Sequence, residues 1–134
     1  MAVQDNVQQV QNIYSAFGRG DIAAVLDALT DDIEWVIPGP SGLAFAGTRR
    51  GKQAVQEWFG ILARHISYQV FEPRQFIAQD ETVVALVHTE GTALPTGRTY
   101  VNPEAHVITF RGDKVARFHT FEDTAAVAAA FDQG

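Results

Sequence analysis

At 134 residues the chain has the length of one domain, and a domain of this size buries roughly two-thirds of the surface its unfolded chain exposes, enough core to fold without metal or disulfide staples. The net charge is −6 and the longest basic run is Arg49-Arg50 with Lys52 nearby, which argues against a nucleic-acid partner and against an anionic membrane surface. No cysteine is present, so disulfides, thiolate nucleophiles and thiolate-bound metals are excluded.

Met1 to Gln11 is glutamine-rich and amphipathic, with no basic head followed by a long apolar run. It reads as neither a secretory signal nor a membrane span and points to a cytoplasmic protein. Val3, Val7, Val10, Ile13, Tyr14 and Phe17 keep a three/four spacing that predicts an amphipathic helix, ended by Gly18 and Gly20. Asp21 is placed to cap a second short helix with Ile22, Val25, Leu26 and Leu29 inward. Ile33 to Ile37 alternates as a strand stopped by Pro38-Gly39-Pro40, and a loop follows through Gly47. The pair Asp31-Asp32 reads as loop before that strand. A third helix begins near Gly51, with Ala54, Val55, Trp58, Phe59, Leu62 and Ile66 on one face.

A short strand is predicted within Ser67–Ala78, with a turn at Asp80-Glu81. Long strands follow at Thr82–Thr92, Arg98–Phe110 and Lys114–Phe121, and Asp123 caps a short C-terminal helix ending near Phe131. Segregated helices followed by consecutive hairpins predict a single α+β domain over 1–134: a curved antiparallel sheet wrapped around three helices of the N-terminal half, cone-shaped with a central pocket.

Ile13-Tyr14-x-Ala16-Phe17-x-x-Gly20-Asp21, Asp31-Asp32-Ile33-x-Trp35, Pro38-Gly39, Gly47-x-x-x-Gly51, Phe110-x-Gly112-x-Lys114-Val115 and Asp123-Thr124 resemble the SnoaL-like and ketosteroid-isomerase-like proteins, over nearly the whole chain. The resemblance implies the fold of nuclear transport factor two, a scaffold that carries isomerases, cyclases, epoxide hydrolases, dehydratases and proteins with no known activity, so fold alone does not set function. Carried over by resemblance, the isomerase base position falls on Ile37, the tyrosine position on Ile13 with Tyr14 about 100° round the helix, and the protonated-aspartate position on His106. Standard ketosteroid isomerisation is therefore rejected. The aspartate of SnoaL-type cyclases falls on Thr120, while their neighbouring histidine matches His106.

Residues two apart on a strand share a face, so Glu104 and His106 point the same way. A three-residue loop at Arg111-Gly112-Asp113 would pair His106 with Phe118 and Glu104 with Thr120. A two-residue turn at Gly112-Asp113 would set His106 against His119. The resemblance favours the first register. His106 and Glu104 are the candidate acid/base pair; Tyr14, Trp35, Ile37, Trp58, Phe118 and Thr120 are the candidate ligand wall. His88 and Glu90 share a face suited to solvent or a dimer contact. The histidines at 65, 88, 106 and 119 show neither the helical nor the His-x-His strand spacing of a metal site.

Two readings follow. One is a cofactor-independent isomerase, cyclase or related lyase or hydrolase acting on a small apolar, oxygenated molecule. The other is a ligand-binding or sensing protein without chemistry, favoured by the missing acids at Ile37 and Thr120. In either case a homodimer through the outer sheet face is expected, since Val101, Ala105 and Val107 alternate outward.

Overall fold

The computed structural model describes residues 3–133. Met1 and Ala2 of the N-terminal stretch, and Gly134 at the end of the 1–134 domain, lie outside the described residues. The elements run α1 (Val3–Gly18), α2 (Ile22–Asp27), β1 (Leu29–Ile37), β2 (Gly47–Arg50), α3 (Lys52–His65), β3 (Ile66–Gln79), β4 (Thr82–Ala93), β5 (Thr99–Arg111), β6 (Lys114–Glu122) and α4 (Thr124–Phe131). The six strands form one curved, unclosed sheet in the order β2-β1-β6-β5-β4-β3. No described helix is long and apolar enough to cross a membrane.

The helix stops and starts follow the local chemistry. Gly20 has φ +73, a left-handed conformation that suits glycine, and turns the chain out of α1. Asp21 and Asp123 each cap a helix through a side-chain oxygen, accepting from the N–H of Ala24 at 3.1 Å and of Ala126 at 3.0 Å. The stripe of α1 buries Val10 and half-buries Val7, Ile13, Tyr14 and Phe17, but Val3 is exposed. Val55, Trp58 and Leu62 of α3 are buried against the same core.

The structure corrects several boundaries. Leu29 and Ile66 are buried as expected, but each opens a strand instead of closing a helix stripe. Asp31 and Asp32 lie inside β1, where Asp32 pairs with Arg111 at 2.6 Å and Asp31 with Lys52 at 3.7 Å. The expected loop through Gly47 gives way to β2, whose four residues are too few for a periodic signal; it pairs antiparallel with β1. The strand after α3 spans 14 residues. The sheet is also not wholly antiparallel, because β6 returns beside β1 in the parallel sense. The chain leaves β1, crosses by α3 to the far edge at β3, and meanders back through three hairpins.

Inward residues of the sheet alternate strictly. On β4, Val83, Ala85, Val87, Thr89 and Ala93 are buried, and on β5 the buried residues are Tyr100, Asn102, His106, Ile108 and Phe110. Gly91 faces Tyr100 across the pair, and a Cβ there would lie 2.8 Å from the Tyr100 hydroxyl and 2.9 Å from its ring. The missing side chain is what lets the tyrosine lie flat over its neighbour strand. Gly91→Ala should therefore cost about 1–3 kcal/mol and displace Tyr100; chemical denaturation and tyrosine side-chain NMR shifts would check both, and an unchanged Tyr100 would refute the packing argument.

Candidate functional site

The concave face of the sheet and the helices enclose a cavity of about 90 Å³. Every residue singled out from the sequence lines it: His106 and Glu104, and Tyr14, Trp35, Ile37, Trp58, Phe118 and Thr120. Its walls are aromatic. Trp35 stacks on Phe118 with ring centroids 4.1 Å apart and meets Trp58 edge-on at 5.4 Å, the geometries that the ring quadrupole favours. The indole N–H of Trp58 donates to the Phe45 carbonyl at 2.8 Å, whereas that of Trp35 has no partner.

One wall is polar. His106 is 3% exposed and holds two partners at once: Tyr14 Oη lies 2.6 Å from Nδ1, and Glu104 Oε1 lies 2.7 Å from Nε2. A carboxylate can only accept, so Nε2 carries the ring hydrogen and Nδ1 is left as the acceptor for the Tyr14 hydroxyl. Thr89 Oγ1 shares its one hydrogen between the Asn102 carbonyl at 2.7 Å and Glu104 Oε2 at 3.1 Å, and Glu104 Oε2 also accepts from Asn102 Nδ2 at 3.4 Å. Phe118 and Phe71 flank the imidazole at 5.0 and 6.3 Å. Burial first, and the Glu104 charge second, push the Tyr14 phenol well above its ordinary range, so it stays protonated and acts as a donor. The tyrosine one helical step from the resembling position thus reaches the histidine; Ile13 lines the cavity beside it.

The register of β5 against β6 differs from both sequence alternatives. Gly112-Asp113 forms the two-residue turn, with Arg111 opposite Lys114 and Gly112 at φ +65, but a bulge follows between Phe110/Val115 and Thr109/Arg117. His106 consequently lies opposite Thr120, not Phe118 or His119, and Glu104 opposite Glu122, not Thr120. Phe118 still faces inward, opposite Ile108.

That register brings in residues the sequence reading passed over. Glu122 lines the cavity, accepting from Thr120 Oγ1 at 2.9 Å and from Asn102 Nδ2 at 3.3 Å. Asn102 is thereby shared by both carboxyls, and its Oδ1 accepts the Asp123 N–H at 3.0 Å. Tyr68 and Tyr100 complete this end; burial, then the Glu104 charge, raises both phenols. Alternation from Thr120 to Glu122 and from Glu104 to Asn102 was the available signal. It was lost because the last strand was ended one residue early, at Phe121. His88 and Glu90 pair at 2.8 Å on the outward face, away from the cavity. Among the described residues no three His, Asp or Glu side chains group as a metal would need.

Burial, then repulsion from Glu104, raises the Glu122 carboxyl to about 7, against the hydrogen bonds from Thr120 and Asn102 that lower it. Between its ordinary value of 4.5 and about 7 the folded chain holds a proton that the unfolded chain has released. Stability must therefore fall as pH rises through that window and stay reduced above it. Relative to wild type, Glu122→Gln should gain on the order of 3 kcal/mol across the window, read by urea unfolding at several pH values. Parallel curves for the two proteins would refute the buried acid.

Residues 10–118 match the SnoaL-like domain family. An NTF2-like protein from Burkholderia xenovorans LB400 superposes with a TM-score of 0.91 at 35% identity, over 98% of this chain and 99% of that one. An NTF2-like protein of unknown function from Burkholderia pseudomallei K96243 gives 0.88 at 31%, over 97% and 98%. TerC, co-crystallised with polyporic acid, gives 0.85 at 28%, over 94% and 97%. Among curated proteins none matches the sequence. With the motif spacing, the cone around a cavity and the family match in agreement, the chain belongs to the SnoaL-like family of the NTF2-like fold.

Proposed function

We propose that the chain is a cofactor-independent acid/base enzyme acting on a small aromatic, oxygenated molecule. The observation that carries this is the Tyr14–His106–Glu104 chain, three hydrogen-bonded groups at the polar wall of an otherwise apolar cavity. As the Tyr14 oxygen takes a proton from a carbon next to a substrate carbonyl, the phenolic hydrogen passes to Nδ1 of His106. The imidazolium then rests against the Glu104 carboxylate, and the electron pair of the broken C–H bond moves onto the carbonyl oxygen as an enolate. Reversal at a second carbon gives an isomer; attack of the enolate on a second carbonyl gives a ring. The raised phenol makes free tyrosinate inaccessible, so the two proton movements are concerted. TerC was co-crystallised with polyporic acid, which supports a small-molecule ligand for the same fold.

Ile37 and Thr120, where the resemblance leads one to expect acids, favour the second reading: a binding or sensing protein with the same cavity. Hydrogen–deuterium exchange separates the two readings without a known substrate. Incubated in D₂O with enolisable aryl ketones, the wild type should accelerate exchange next to the carbonyl. Tyr14→Phe and His106→Ala should each lose about 10²–10⁴-fold of that rate with an unchanged circular dichroism spectrum. Ketones that bind and keep all their hydrogens would leave the binding reading.

We also propose that the protein acts as a homodimer through the convex face. Val101 and Phe121 are 56% and 52% exposed there, beside the half-buried outward side chains of Ala105 and Val107, an apolar patch of the kind that marks association. Sedimentation at micromolar concentration should give the dimer mass, and Phe121→Glu the monomer; a monomeric wild type would contradict this.

A further inference from the structure

The charge around the cavity is one-sided. Of the described residues lining it, Glu104 and Glu122 are acidic and none is Lys or Arg, while both ring nitrogens of His106 are already engaged. The two carboxyls lie directly opposite in register and accept from the same Asn102 amide. Since Asn102 Oδ1 is committed to the Asp123 N–H, its amide hydrogens must face the carboxyls and cannot be flipped to meet them with an acceptor.

We propose that this cavity takes uncharged aromatic molecules bearing a hydroxyl and excludes carboxylates and phosphates, the hydroxyl donating to the Glu104–Glu122 pair. The proposal rests on the cavity being a ligand site. An anion entering here would lose its water and meet two acidic groups with no cation to replace that hydration. A hydroxyl instead gains a charge-assisted hydrogen bond to a carboxylate. The raised Glu122 carboxyl is consistent with this: a second negative charge is resisted here even when it belongs to the protein.

Three probes of one shape separate the terms: 4-hydroxyacetophenone, 4-methoxyacetophenone, which lacks the donor, and 4-hydroxybenzoate, which replaces the acetyl group by a carboxylate. In NMR titrations of the wild-type chain near neutral pH, the first should bind at least about tenfold more tightly than either of the others. Glu122→Gln should raise 4-hydroxybenzoate affinity about fivefold and leave 4-methoxyacetophenone within about twofold. Equal binding of all three probes, or tighter binding of the benzoate, overturns the selectivity while the ligand site stands. Shifts at cavity residues with none of the three overturn both. Should the Glu122 variant fail to fold, the wild-type ratios alone decide.

Discussion

The site depends on one extra residue in β6. Because strand side chains alternate, a shift of one position in pairing exchanges the two faces of everything beyond it. Counted straight from the Arg111–Lys114 turn, His106 would meet His119 and Glu104 would meet Phe121. The bulge between Val115 and Arg117 moves the pairing by one, so that Phe118, Thr120 and Glu122 face inward while Arg117, His119 and Phe121 face out. The same bulge therefore builds both faces of the sheet. It supplies the polar wall of the cavity on the concave side and leaves Phe121 stacked on His119 at 4.2 Å on the convex side.

Burying so many polar groups is stable only when each is matched. Desolvating an unpaired hydroxyl or amide costs about 1–3 kcal/mol, and here Thr89, Asn102, Thr120, His106, Glu104 and Glu122 satisfy one another across three adjacent strands. The network also fixes geometry. Glu104 is held by Thr89 and Asn102 on one oxygen and by His106 on the other, so the imidazole cannot turn without breaking a bond. Preorganisation of this kind comes from rigid strands instead of loops, which leaves the aromatic wall free to set the shape of what enters.

How much of this was legible follows from the range of the interactions involved. Helix ends at Gly20, Asp21 and Asp123 depend on backbone conformation and on contacts three residues apart, and they read correctly. That His106 and Glu104 share a face follows from alternation within a single strand, and that the face is the inward one was implied by the resemblance; both line the cavity. The partner of each across the sheet does not, because the bulge arises from twist and packing and leaves no mark in local composition; Glu122 escaped for a simpler reason, as the last residue of β6, one beyond the expected strand end. The four residues of β2 and the parallel β1–β6 pair escaped because both depend on where distant strands end up. Tyr14 was legible as a core aromatic one helical step from the expected position, but its bond to His106 spans 92 residues and had to be seen.

Ile37 and Thr120 are not acids, yet the concave face carries two carboxyls on β5 and β6. Glu122 follows Thr120 by two residues, and Glu104 precedes His106 by two, so each keeps the same face and lies one pleat period along, roughly 7 Å on an extended strand. The carboxyl groups are thus gathered at the Asn102 end of the cavity, against Tyr68, Tyr100 and the start of α4. The imidazole sits between that acidic end and the Tyr14 hydroxyl. Carboxyl, imidazole and phenol thus follow one another along a single wall of the cavity, with an isoleucine at position 37 and a threonine at position 120 among them.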